Sequence, residues 1–373
     1  MKKIIVFFIL LNTFFLPVLA EETEDVNIIQ QQAEIVGADS LDENLPEETK
    51  EFFTKKGITP TDNGWINSFD ISDIFKEMFS LFVKRAKAPL VTGGVVLAVI
   101  LLSGALNSAQ SGMSASTANF AVTAVSAAVI ITPLLSVINS AVGVMQSVAS
   151  FMLAFKPVFA VVVAANGQTA TSVSMSSLLL AASQFVELVA NHFVIPLMCG
   201  YLSISIATGV SPLLSRSSLA LTIKRISFWI MSLVTTVFLG VLSVQTAVNA
   251  SADTIATKTL KFIIGSSVPV AGTVLSEALT TVTSSIGMLK TTVAIYGVVV
   301  CCVIFLPILA DLLLWRFMLN ITGFTAEILS VNTVAELLHS VDTAISVLCG
   351  IILLTCAMFI ISLAVVVSVG KSI

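Results

Sequence analysis

Val293-Ala-Ile-Tyr-Gly-Val-Val-Val-Cys-Cys-Val-Ile-Phe-Leu-Pro-Ile-Leu-Ala-Asp-Leu-Leu-Leu-Trp315 is a run of 23 residues with a single charge, Asp311. A helix that crosses the hydrocarbon core of a bilayer needs about 20 apolar residues, and this run supplies them. Outward from it the chain keeps the same character. Residues 90–106, 118–138, 193–210, 228–250 and 344–369 are further spanning candidates. Between them, 140–166, 173–190 and 262–289 are apolar but broken by Ser, Thr, Gly and Pro. The expected fold class is therefore an all-α polytopic integral membrane protein, a bundle of about six to eight transmembrane helices with broken or re-entrant elements.

The composition excludes the main alternatives. The 373 residues are 56% hydrophobic and 11% charged, with a mean hydropathy of +1.02. A soluble chain carries about 25% charged residues, so water cannot solvate a surface made from this one. The net charge of −4 is unevenly spread: residues 21–80 hold 15 of the 22 acids against four lysines. The remaining body is weakly basic and has no basic stripe, which argues against a nucleic-acid partner. The lipid bilayer is the partner that the composition does imply.

Met1-Lys2-Lys3, an apolar stretch over 4–15, and Val18 and Ala20 before Glu21 have the form of a secretory signal peptide, residues 1–20. An uncleaved first transmembrane helix is the other reading. Either way the acidic segment that follows, 21–67, is expected outside the cytoplasm as a flexible tail with at most one short helix. It contains no cysteine, so no disulfide framework supports it. Cys199, Cys301, Cys302, Cys349 and Cys356 all lie in apolar runs, where they act as buried small hydrophobes.

From 68 to 88 the pattern changes. Ile71, Ile74, Phe75, Met78, Phe79 and Phe82 mark one helical face. Asp73 and Glu77 sit early, and Lys84, Arg85 and Lys87 sit late, as the helix dipole favours. This predicts an amphipathic helix in the membrane interface, with packing on protein as the alternative. Residues 89–373 then form the polytopic domain. The basic loop 211–227, with Arg216, Lys224 and Arg225, and Arg316 at a helix end read as cytoplasmic. Lys84, Arg85 and Lys87 oppose that scheme unless they bind anionic headgroups.

No catalytic constellation is present. His192 and His339 are far apart, Cys301-Cys302 are adjacent rather than spaced as CxxC, and there is no GxxxxGK[ST] loop or GxSxG elbow. The expectation is a non-enzyme without cofactor or metal. Ionisable groups in apolar segments are more informative, because a charge in hydrocarbon usually faces a bundle interior or a wet cavity. Gln184, Glu187 and Asn191 fall on one stripe, Glu277 follows Pro269 and Gly272, and Asp311 follows Pro307 by one turn. They are candidates for a polar path or inter-helix contacts, against structural hydrogen bonding or proximity to headgroups. Pro157 and Gly167, Pro269 and Gly272, and Pro307 are the expected helix breaks. The two similar stretches 156–167 and 261–272 hint at the paired interrupted segments of repeat-built transporters.

Several stretches resemble a known family. They are Thr236-Val-Phe-Leu-Gly-Val-Leu-Ser-Val-Gln245, Ala252-Asp253 leading to Lys258-Thr-Leu-Lys-Phe262, Val268-Pro-Val-Ala-Gly272, Leu275-Ser-Glu-Ala278 and Leu289-Lys-Thr-Thr-Val293. With the order of signal peptide, acidic segment and polytopic body, the chain resembles the stage III sporulation protein AE family of endospore-forming bacteria. Gly272-Thr273 stands where the family has a double glycine. The resemblance implies a subunit of the sporulation stage III A assembly, a channel-like, secretion-like complex between mother cell and forespore. It would sit in the mother-cell membrane around the forespore and be required for late forespore development and gene expression, with lining of the conduit among its roles. Implied partners are the other stage III A membrane proteins, a separate ATPase subunit and a forespore-membrane protein. A stand-alone secondary transporter for a small solute, resting on Glu187, Glu277 and Asp311, is the competing reading.

Overall fold

The computed structural model describes residues 37–38, 40–43, 45–61, 65, 76, 80, 82–109, 113–165 and 272–369, with scattered positions between 177 and 244. Among these every regular element is helical: α1 (Ser40–Glu43), α2 (Glu47–Lys56), α3 (Lys87–Ala109), α4 (Met113–Ala165), α5 (Gly272–Ile328) and α6 (Asn332–Val369), with a π-helical turn at Val189–Val194. Among the described residues four helical stretches are long and apolar enough to cross a membrane: Phe82–Ala105, Phe120–Ala165, Leu289–Ile328 and Asn332–Ile361. The helical membrane character expected from composition is thus present. The expected signal peptide, the start of the interfacial helix and most of the basic loop 211–227 lie outside the described residues; Arg225 of that loop is helical and exposed.

Helix length differs from the sequence pattern. The separate runs 118–138 and 140–166 form one 53-residue helix, and 293–315 lies inside a 57-residue one. At about 1.5 Å per residue these rise roughly 80 and 85 Å, more than twice a hydrocarbon core of about 30 Å. Pro133 and Pro157 lie within α4 and Pro307 within α5. The breaks expected at Pro157 and Pro307 are therefore absent. A proline forfeits one backbone hydrogen bond, but the turns around each are held by packing: Phe155, Val158 and Phe159 beside Pro157, and Phe305 and Ile308 beside Pro307, are all buried.

Side-chain meetings set the register. Arg85 meets Asp311, Gly93 faces Met318 and Gly104 faces Leu329, so α3 runs parallel to the second half of α5. The helices α4 and α6 run the opposite way. Thr123 donates to Thr333 at 3.0 Å, Phe155 and Leu363 both close on Gly297, and Arg316 meets Asp342. Gly297 is required by this crossing, since a Cβ there would stand 2.9 Å from the Phe155 ring and 3.1 Å from Leu363. The helical backbone also runs from Phe82 into α3, with the Ala86 and Leu90 N–H groups bonded to Phe82 and Ala86 carbonyls. Residues 82–88 thus lead into the spanning helix rather than closing a separate interfacial one.

The central helix changes partners along its length. Residues 293–302 are buried on every face, as befits a helix that is apolar all round. Beyond Asp311 one face opens: Phe317, Phe324 and Ile328 are exposed, whereas Met318, Leu319 and Thr322 stay buried.

Part of the acidic segment packs against this core instead of hanging free. Ala38, Leu41, Leu45, Phe53, Ile58 and Trp65 are buried in the same apolar cluster as α4, α5 and α6. Phe53 meets Tyr296 edge-on at 5.4 Å, and the Tyr296 hydroxyl donates to the Asp42 carboxylate. Gly57, at φ +64°, closes α2, and the Ile58 N–H bonds back to the Phe53 carbonyl at 3.0 Å. That left-handed cap favours glycine and turns the chain so that Ile58 and Trp65 reach the core. Such small apolar anchors, spaced among acids, fall below what a composition reading registers as a folded element.

Candidate functional site: a charged belt and a cavity at mid-bundle

Asp311 is the sequence-expected residue that the structure places most fully. It projects from α5 between the all-buried half and the half with an open apolar face. Arg85 Nη1 approaches its Oδ2 at 2.6 Å, with both side chains only partly exposed. A lone carboxylate in low-dielectric surroundings is costly, and a guanidinium at hydrogen-bond distance offsets much of that cost. Slightly further along α5, Arg316 Nε meets Asp342 Oδ1 of α6 at 3.0 Å. Asn320 Nδ2 donates to the Arg316 carbonyl at 2.7 Å and to Asp342 at 3.2 Å. Two acids and two arginines thus form a neutral belt across one level of the bundle.

Arg316, expected to mark a cytoplasmic helix end, is a partly exposed side chain paired with Asp342 of the neighbouring helix. The sequence reading also missed that Arg85 and Asp342 are the partners. Arg85 sits in a basic cluster with Lys84 and Lys87, Asp342 is a single acid in an otherwise apolar run after His339, and nothing in the spacing links 85 to 311.

Next to the belt lies a cavity of about 720 Å³. Glu47, Thr49, Glu51 and Phe52 of α2 form one wall, with Lys84 and Arg85 beside them. Ser140, Gly143 and Ser147 of α4 and Val303, Ile304, Pro307 and Ile308 of α5 form the other. Pro307 therefore shapes a cavity wall rather than a helix break.

Gln184, Glu187, Gly167 and Pro269 lie outside the described residues. Asn191 falls in the π-helical turn, Gly272 is the first residue of α5, and Glu277 lies in its second turn. Pro157 is exposed on α4, well away from the belt along the helix. At the α5–α6 turn, His339 Nε2 and Glu327 Oε1 stand 2.9 Å apart in an exposed pair. Cys301, Cys302, Cys349 and Cys356 are buried free thiols, as the apolar context predicts, and Cys199 is half-buried. Among the described residues no group of three His, Cys, Asp or Glu side chains is placed to hold a metal ion.

With this geometry in place, comparison with known proteins supplies the family. The model of stage III sporulation protein AE matches residues 58–370, nearly the whole helical body. The chain belongs to the stage III sporulation protein AE family. It is 27% identical over 367 residues to the stage III sporulation protein AE of Bacillus subtilis (strain 168), covering 94% of this chain and 92% of that protein. No solved structure matches it. Membership makes this a sporulation protein, and its four apolar helical stretches are consistent with a membrane location. The matched span takes in the Arg85–Asp311 and Arg316–Asp342 pairs and begins after α2.

Proposed function

We propose that the chain is a non-enzymatic, multi-pass membrane subunit of the stage III A channel-like, secretion-like complex between mother cell and forespore. In this reading it lies in the mother-cell membrane surrounding the forespore, with residues 21–87 outside the cytoplasm. Its partners are the other stage III A membrane proteins, a separate ATPase subunit and a forespore-membrane protein, and its activity is required for late forespore development and gene expression. The observation that carries the reading is the length of α4 and α5, each more than twice a bilayer's hydrocarbon core. Such helices have a portion that lipid does not cover; over 293–302 of α5 the chain's own helices cover it, and on α4 the exposed positions between 136 and 150 offer surface to partners in the space between two membranes.

The test is co-purification. A tagged copy isolated in mild detergent from sporulating cells is expected to bring other stage III A membrane proteins and an ATPase. Recovery of a single species after gentle crosslinking, together with normal sporulation in a strain lacking the chain, overturns it.

A stand-alone permease is the second reading, favoured by the cavity of mixed polar and apolar lining beside Arg85, the partner of Asp311. Replacing Glu187, Glu277 and Asp311 by their amides is then expected to abolish solute uptake. Unchanged uptake and sporulation in the triple variant would remove that reading.

A further inference from the structure

The cavity beside the belt has walls of two kinds, and its height in the bundle says what they are for. From Asp311 to Ser330 at the α5–α6 turn, α5 and its turn rise about 28 Å at about 1.5 Å per residue, close to the hydrocarbon thickness of about 30 Å. The surface of α4 changes at the matching level. Phe120, Val125 and Leu135 are exposed along its first half, whereas the exposed positions over 136–150 are Ser136, Asn139, Ser140, Gln146 and Ser150. Exposed apolar residues return only at Leu153 and Val161. The antiparallel register places Ser136 beside the α5 segment that carries Asp311 and Arg316. One edge of the hydrocarbon therefore falls at the belt, and the cavity, entered by Ser140, Gly143 and Ser147, lies just beyond it.

From this we infer that the cavity binds the headgroup of a membrane phospholipid, whose acyl chains descend along the exposed apolar face of α3. Lys84 offers a cationic group to the phosphate, and the Arg85 guanidinium, already paired with Asp311, offers its further N–H donors. Glu47 and Glu51, one turn apart on α2, offer acceptors to a headgroup ammonium or hydroxyl. Val303, Ile304 and Ile308 give the glycerol backbone an apolar wall. The volume of about 720 Å³ falls within the range of about 300–1,000 Å³ usual for small-molecule sites. Directly below the cation pair, Leu90, Val91 and Val95 are exposed and continue the surface in the direction the acyl chains must take. A lipid held there bridges α2, the start of α3 and the α4–α5 pair, and ties the acidic segment to the bilayer edge. This inference needs the membrane level but not membership of the complex, so it stands or falls separately from the co-purification result.

The experiment is native mass spectrometry of the full-length protein released from mild detergent, with lipid identity read from the dissociated adduct. One phospholipid per chain is expected to survive a detergent wash that strips bulk lipid. Lys84→Glu and Ser147→Leu, the second of which fills the cavity without altering charge, are expected to reduce that adduct at least fivefold. Lys87→Glu, outside the cavity lining, is expected to leave it unchanged. Circular dichroism and a monodisperse elution profile establish that each variant is folded, and a site read from two chemically different variants does not depend on either one alone. Soluble sn-glycerol 3-phosphate at millimolar concentration is expected not to displace the adduct. Displacement by that compound would make this a soluble phosphate site and overturn the lipid assignment. A wild-type protein with no retained lipid, or equal loss in the Lys87 and Lys84 variants, overturns it as well.

Discussion

Two stretches of α5, residues 293–302 and residues 311–328, are both largely apolar and have opposite surroundings. Residues 293–302 are buried on every face, whereas Phe317, Phe324 and Ile328 after Asp311 stand exposed beside buried Met318 and Leu319. The sequence pattern marked the first as membrane helix and the second only as far as Trp315, although the apolar helical stretch runs on over Leu289–Ile328. The difference teaches that hydropathy reports removal from water and does not distinguish removal into lipid from removal into protein. The two environments nevertheless demand different things. The protein-covered half has to fit its neighbours atom by atom, as Gly297 shows between Phe155 and Leu363. The half with the open face needs only apolar character on that face.

The sharpest way to break the comparison is a charge in each half. Val299, 1% exposed, replaced by Asp leaves an uncompensated buried carboxylate, a change that costs about 3–5 kcal/mol or more. Val299→Asp is expected to abolish accumulation of the folded protein in membranes, seen by immunoblot and by detergent-resistant elution. Normal accumulation would mean that water reaches the first half of α5.

The boundary between the halves is tested by a double-mutant cycle. Asp311→Asn strands Arg85, and because that arginine is partly exposed the expected loss is about 1–3 kcal/mol, below that of a fully buried pair. Adding Arg85→Gln is expected to restore part of the loss, with a coupling of about 0.5–2 kcal/mol in thermal unfolding in detergent. Additive losses would show that the two groups do not act as a pair. Tyr296→Phe removes the hydroxyl bond that fastens Asp42 to the first half, at an expected cost of about 0.5–1.5 kcal/mol. The readout is faster proteolysis within residues 38–65 with the helical body intact, and an unchanged cleavage rate would discount that contact. The smallest effect belongs to Phe324→Ala, at an exposed position in the open half. It is expected to change stability by no more than about 0.5 kcal/mol, and a loss like that of a core phenylalanine would place protein, not lipid, against that face.

Legibility in the sequence followed how local each interaction is. The helical membrane class was readable from apolar runs, and the buried cysteines from their neighbours. Asp311 stood out as a lone charge beside a proline. Its partner did not, since Arg85 is 226 positions away and was read with the amphipathic segment it ends. Asp342 was overlooked for the same reason. Prolines misled in the opposite direction. Pro157 and Pro307 carry a local helix-breaking tendency, but the buried side chains around them hold α4 and α5 continuous. The acidic segment was read as a tail because its anchors, Leu41, Leu45, Phe53, Ile58 and Trp65, are sparse, and their value depends on a core built more than 200 residues later.

By itself, then, the sequence determined that this chain folds as helices away from water, that its acids are concentrated before the apolar body, and to which family it belongs. Those are properties of composition and of motif, and they need no partner in space. Only the tertiary structure decided where each helix stops, which half of α5 protein covers, which arginine answers Asp311, and that α2 closes a cavity beside the belt. The physical reason is that apolar burial and ion pairing are satisfied by whatever the fold brings near, and a linear pattern records the need of each residue without naming what meets it.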